Sequence, residues 1–226
     1  MLNKKNIIKL TLKQLILSNI HIGHAKNYLN NNLKSYLYGH YNYFYIINLY
    51  YTSFQLKILS SLIINLILSK QKIIFLKSTG FGSFRKKFNN IKMDNLLIFD
   101  YNWIGGFFTN FKHVRQYWLE KDSFLKMSDK SKLSSLQKLN LLDLTFLPSL
   151  IIFFDNYNYD AIKEASYLDI PIAGIIDTNS FYFNLLNYPI IGNNQSYNSL
   201  YLYYNFFYNS ILKGLQKERL NLLFLK

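Results

Sequence analysis

The chain has 226 residues, half of them hydrophobic and none of them cysteine. That is enough for a core of ordinary size, and it excludes disulfide scaffolds and thiolate metal sites. The formal net charge of +14 calls for an anionic partner, nucleic acid or an anionic membrane surface. The charge is also unevenly placed. Residues 1–138 carry 21 Lys/Arg and 5 Asp/Glu, residues 139–212 carry 1 and 6, and residues 213–226 carry 4 and 1. Solubility alone requires no such asymmetry. The favoured residues Asn, Tyr, Phe, Ile, Leu and Lys all have A/T-rich codons, as expected of an organelle genome.

In chain order, Leu10, Leu12, Leu15 and Ile16 among Lys9, Lys13 and Gln14 predict an amphipathic helix over 9–19. Lys13 and Gln14 interrupt the N-terminal apolar stretch, so no secretory or transit segment is expected and synthesis inside the organelle is the natural reading. His21-Ile22-Gly23-His24 is expected to break the helix in a tight glycine turn, followed by an irregular polar stretch from Asn27 to Asn32. Two short strands are predicted around the turn at Gly39-His40-Tyr41-Asn42, then a long apolar helix over 52–69. Its longest apolar run, Ile58 to Ser69, is shorter than the ~20 residues that span a membrane, so a buried helix and no membrane span are expected.

Short buried strands are predicted at Lys72 to Leu76, Leu96 to Asp100, Leu150 to Asp155, Pro171 to Asp177 and Pro189 to Gly192. Between the second and third, residues 113–146 read as a projecting helical hairpin. Between the third and fourth, Asn158 or Asp160 is expected to cap a helix from Ala161 to Tyr167. A long aromatic helix over Ser196 to Leu212 and a basic tail over 216–226 close the chain. Continuous apolar strands alternating with helices predict an α/β fold, a three-layer α/β/α domain around a five-stranded parallel sheet. The expected organisation is an N-terminal extension over 1–50, a core over 51–112 and 147–215, the inserted hairpin, and the tail.

Several constellations admit a chemical reading. Gly80-Phe81-Gly82, with an acid at Asp100, resembles part of a dinucleotide-binding turn. Arg85 holds the third glycine's place, which favours a turn into a basic helix while leaving a nucleotide-binding enzyme as the alternative. His21 and His24 are candidate metal ligands, but only His40 and His113 remain to complete a set, so no metal and no cofactor are expected. Asp100, Asp155 and Asp177 each end a strand, where capping of the following turn is the usual role. Arg85, Lys86 and Lys87, with Lys112, His113 and Arg115, are candidate nucleic-acid contacts, since Lys and Arg neutralise phosphates whatever the base sequence.

The order of motifs resembles the bacterial-type ribosomal protein S-two family of the small subunit. His21-Ile22-Gly23-His24 is similar to its H-x-G-H signature, and Lys34 to Gly39 with Asn42 and Ile46-Ile47-Asn48-Leu49 follow in register. Trp103-Ile104-Gly105-Gly106-Phe107-Phe108-Thr109-Asn110-Phe111 matches W-x-G-G-x-x-T-N-F. Lys163-Glu164-Ala165, Ile170-Pro171, Asp177-Thr178-Asn179 and Tyr188-Pro189-Ile190-Ile191-Gly192-Asn193 complete the series. Where the family carries arginines and N-P-K after the second histidine, this chain has Asn27, Tyr28, Asn31 and Asn32, with Lys26 and Lys34 as the basic residues.

The resemblance implies a structural protein without catalysis or small-molecule substrate. It would be held on small-subunit rRNA at the head–body junction beside neighbouring ribosomal proteins, in a mitochondrion or alternatively a plastid. It makes His21, Gly23, His24, Gly39, Trp103, Gly105, Gly106, Thr109, Asn110, Asp177, Asn179, Pro189 and Gly192 architectural residues.

Overall fold

A computed structural model of the chain describes residues 10–76, 91, 95–99, 103, 105–113, 116, 147–154 and 159–224. The predicted hairpin over 113–146 lies outside them apart from His113 and Gln116, as do Gly80-Phe81-Gly82, Asp100 and Asp155.

Two compact units are present. One comprises residues 1–69, 174–184 and 188–226, the other 70–173 and 185–187. A five-stranded parallel sheet has strands β4 (Ile73–Leu76), β5 (Leu96–Phe99), β6 (Leu150–Phe153), β7 (Ile172–Ile176) and β8 (Tyr188–Ile191), in the order β5-β4-β6-β7-β8. The fold class is therefore α/β, as predicted. Pro189 lies on edge strand β8, where a missing backbone donor costs the ladder least.

In the first unit, helix α1 (Leu12–Leu17) opens with a capping box in which Thr11 and Gln14 each accept from the other's backbone N–H. It is shorter than predicted, with the Thr11 cap setting its start and the φ of 59° at Asn19 following its end. The segment Ile22–Ala25 is strand β1, not a turn. It pairs antiparallel with β3 (Phe44–Ile47), which pairs in turn with β2 (Leu37–Tyr41). The β2–β3 hairpin turns through Asn42, whose φ of 52° is one that Asn tolerates. The stretch expected to be irregular forms two tight helical turns, Lys26–Tyr28 and Asn31–Tyr36.

Helix α2 (Leu49–Leu68) starts where the Asn48 side chain accepts from Tyr50 N–H. At 20 residues it is longer than the apolar run Ile58 to Ser69, and by length and composition alone it reaches that of a membrane span. It buries Leu56, Leu59, Ile63 and Ile67 and packs on helix α4 (Tyr197–Phe224). The α2–α4 contact is close: a Cβ on Gly214 would stand 2.7 Å from Ile67 Cδ1. Ser60 and Ser210 hydroxyls meet at 2.7 Å, and Thr52 Oγ1 donates to the Ile191 carbonyl at 2.6 Å. Helix α4 continues to Phe224, so most of the predicted tail is helical.

In the second unit, β4 and β6 are buried at every position, and helix α3 (Tyr159–Tyr167) buries Ala161, Ile162 and Ala165. The helix begins earlier than predicted, so Asp160 lies within its first turn, where a carboxylate favours the dipole, and does not cap it; Asn158, the other expected cap, lies outside the described residues.

Gly192 follows β8 and donates to the Ile176 carbonyl at 2.9 Å. A Cβ there would collide with Tyr203 Oη and come within 3.0 Å of Ile20 Cγ2. Tyr203 is fully buried, and its hydroxyl has no hydrogen-bond partner among the described residues. Gly192→Ala is expected to cost about 1–3 kcal/mol through overpacking. Tyr203→Phe removes an unsatisfied polar atom and is expected to leave stability unchanged or raise it by roughly 1 kcal/mol. In the Tyr203→Phe background the cost of Gly192→Ala should shrink; urea denaturation of the four proteins in the cycle measures this coupling.

Candidate nucleic-acid interface

Among the described residues, two buried carboxylates, Asp177 and Glu164, organise loops. In the first unit, β7 ends at Ile176, and Asp177 begins the turn that Ser180 N–H closes onto the Asp177 carbonyl at 3.1 Å, with Asn179 inside it. Asp177 is 2% exposed. Its Oδ1 accepts from Thr178 N–H at 2.6 Å and from Thr178 Oγ1 at 3.2 Å. Thr178 Oγ1 in turn accepts from His24 N–H at 2.8 Å, and the Thr178 carbonyl accepts from Asn30 N–H at 2.9 Å. These contacts bind β1 to the turn after β7. Gly23 permits them: a Cβ on it would stand 2.5 Å from Thr178 Cγ2. The glycine thus serves a close approach within a strand rather than the tight turn expected.

His24 Nδ1 lies 3.1 Å from Asp177 Oδ1, an ion-pair distance. Its Nε2 meets Gln195 Nε2 at 3.0 Å. The hydrogen-bonding contact with Asp177 raises the His24 pKa above its ordinary 6.5, burial opposes this, and the Asp177 charge adds to the rise. His21 behaves in the opposite way. Burial lowers its pKa, its Nδ1 has no partner among the described residues, and its carbonyl accepts from Ile47 N–H at 2.8 Å. Both ring nitrogens of His24 are engaged within the protein. Among the described residues no three His, Cys, Asp or Glu side chains converge as metal ligands.

In the second unit the organiser is Glu164 on α3, a residue that sequence reasoning placed in a motif but gave no role. Its Oε1 accepts from Trp103 Nε1 at 3.1 Å and Gly106 N–H at 2.6 Å, and its Oε2 from Phe108 N–H at 2.8 Å and Thr109 N–H at 3.4 Å. Glu164 is only 8% exposed. The signal was present in the pattern: an acid on the same helical face as Ala161 and Ala165 needs a buried partner. Gly106 has φ +83°, which only glycine adopts freely, and its carbonyl accepts from Asn110 N–H at 2.8 Å. Trp103 packs on Phe107 and Phe108, with ring centroids 5.4 and 4.6 Å away. Gly105 has open space where a Cβ would stand, as does Gly39 on β2, so sterics do not explain these two glycines.

Of the candidate RNA contacts, Lys26 and Lys34 are exposed on the first unit, and Lys112 and His113 are exposed on the second. Lys26 is held by its N–H donating to the Tyr43 carbonyl at 3.0 Å, and the Lys34 carbonyl accepts from Leu37 N–H at the end of a helical turn. Arg85, Lys86, Lys87 and Arg115 lie outside the described residues. Sequence reasoning did not register that residues 1–93 contain no Asp or Glu, which leaves the basic groups there without local counter-charge.

Replacing Glu164 by Ala should destabilise the protein by roughly 3 kcal/mol or more, because several donors are left without an acceptor at ~1–3 kcal/mol for each that is buried; chemical denaturation measures it. Because the His24 pKa is raised on folding, its contribution to stability is full below pH 6.5 and fades as pH rises through the native value. In Asp177→Asn the His24 ring resonances should titrate at lower pH than in the unaltered protein, as followed by NMR.

A family model described as ribosomal protein S2 matches residues 15–214. Among curated relatives, the small ribosomal subunit protein uS2 of Buchnera aphidicola subsp. Cinara cedri is 31% identical over 92% of this chain and 93% of its own length. The protein of the same name from Shewanella halifaxensis is 30% identical over 85% and 86%, and that of Rickettsia typhi 28% over 94% and 78%. Matching along nearly its whole length, the chain belongs to the ribosomal protein S2 family.

Proposed function

We propose that this chain holds small-subunit rRNA at the head–body junction of an organellar ribosome, its A/T-biased composition favouring an organelle and its departures from the family pattern after His24 favouring a mitochondrion over a plastid. At the coarser level the role is that of its family: a structural, non-enzymatic constituent of the small ribosomal subunit. The observation that carries the RNA reading is electrostatic. The described part of the first unit has seven Lys/Arg against only two acids, one of which, Asp177, is buried on His24 and Thr178. A polyanion meets that surface with little repulsion, and each phosphate neutralised releases counterions.

Lys26, Lys34, Arg85, Lys86, Lys87, Lys112, His113 and Arg115 are the proposed phosphate contacts, with neighbouring ribosomal proteins completing the seat. Helix α2 acts as a core helix in this reading, tied by Thr52 to β8 and by Ser60 to α4. Replacing Lys26, Lys34 and Lys112 by Gln should weaken rRNA binding and reduce the slope of log affinity on log salt by ~0.7–0.9 for each phosphate that is no longer neutralised. Filter binding across a salt series measures this, and an unchanged slope would place those lysines in solvent. Co-sedimentation with small subunits of organelle lysate at moderate salt tests the assignment; a protein found only in ribosome-free fractions would end it.

A further inference from the structure

A cleft of about 310 Å³ opens in the first unit beside β1 and the start of the 3-10 turn that follows it. Its walls include two exposed aromatic rings, Tyr28 at 66% and Phe44 at 50% exposure, and its polar lining includes His24, Asp177, Asn193 and Gln195. We propose that this cleft receives one unpaired base of an RNA strand, with Tyr28 and Phe44 as stacking surfaces and Asn193 and Gln195 reading the base edge.

Four observations carry this. The volume lies at the small end of the ~300–1,000 Å³ range of ligand clefts, enough for a base but not for a dinucleotide. Exposed aromatic rings offer a π-face to any base, whereas a water-filled surface gains nothing from displaying them. The edge groups are prearranged. Asn193 spends its Oδ1 on the N–H groups of Gln195 and Ser196, leaving its amide nitrogen as a donor, and Gln195 Nε2 lies 3.0 Å from His24 Nε2, where it donates one hydrogen to the neutral ring and keeps the other hydrogen and Oε1 for a base edge. Finally, Lys26 is exposed next to Ala25, which lines the cleft, so a phosphate of the same strand has a cation to meet. A cation is a poor occupant, because the Asp177 carboxylate is already bonded to Thr178 and His24 and no third acid or imidazole joins them among the described residues.

This inference rests on the RNA-binding reading, and one experiment separates the two. The full chain is titrated by fluorescence with a single-stranded oligoadenylate carrying 2-aminopurine and with a labelled RNA duplex. The unaltered protein should quench the 2-aminopurine on binding. Tyr28→Ala and Phe44→Ala should each weaken single-strand binding about five-fold or more, with duplex affinity changed less than twofold and the salt slope unaltered. Tyr28→Trp should restore single-strand binding, and Tyr167→Ala, an 81% exposed tyrosine of the second unit, should have no effect. If both probes bind but the two alanine variants are silent, or lose both probes equally, the cleft proposal is overturned while RNA binding stands. If neither probe binds the unaltered chain, the RNA reading itself falls and takes the cleft with it. Since both rings are exposed, thermal unfolding should show each variant as stable as the parent.

Discussion

A parallel sheet with strands apolar from end to end has to be covered on both faces, and every polar function has to be moved to the strand ends. In this protein β4, β6 and β7 are buried at each position, so no side chain within them is available to a ligand. What polarity the core requires is met in loops. Asp177 stands at the end of β7, the place where α/β enzymes gather their reactive groups. Here its oxygen is used internally, by the backbone and hydroxyl of Thr178 and by the His24 ring.

The same solution appears twice, once in each unit. An acid that is almost wholly buried collects hydrogen bonds from a loop that has little regular structure of its own: Glu164 from the Trp103 to Thr109 segment, and Asp177 from the turn after β7 and from β1 through Thr178. Charge-assisted bonds to a carboxylate are stronger than neutral ones and turn a flexible stretch into a fixed shape. The signature glycines serve these arrangements in different ways. Gly106 supplies a left-handed backbone angle, and Gly23 and Gly192 each leave room for a side chain, Thr178 and Tyr203 respectively.

Among the described residues, the acids Glu164 and Asp177 are buried and used internally, whereas Lys26, Lys34 and Lys112 are left outside. That arrangement suits the structural role of its family in the small ribosomal subunit. The many aromatic residues divide by location. Tyr203, Phe207, Phe75 and Phe153 fill the core, whereas Tyr28, Tyr38, Tyr41 and Tyr43 are exposed on and around the N-terminal three-stranded sheet. Composition alone says how frequent Tyr is, not where the exposed rings lie.

The fold class could be read from residue order alone, because strand runs such as Ile73–Leu76 and Leu150–Phe153 are too continuous for anything but a doubly covered sheet. The order of motifs likewise carried the family, and the acid-free first 93 residues carry the basic character. Element ends were less legible: α1 stops early, ahead of the positive φ of Asn19, and α2 starts early at the Asn48 cap, since local caps rather than hydrophobic period set the limits. The pairing of His24 with Asp177 and Thr178, the collection of four donors by Glu164, and the strand at Ile22–Ala25 were decided only by tertiary structure. Each depends on groups distant in the chain meeting in space, and periodicity along a chain reports which face a residue turns inward but not which distant partner it will find there.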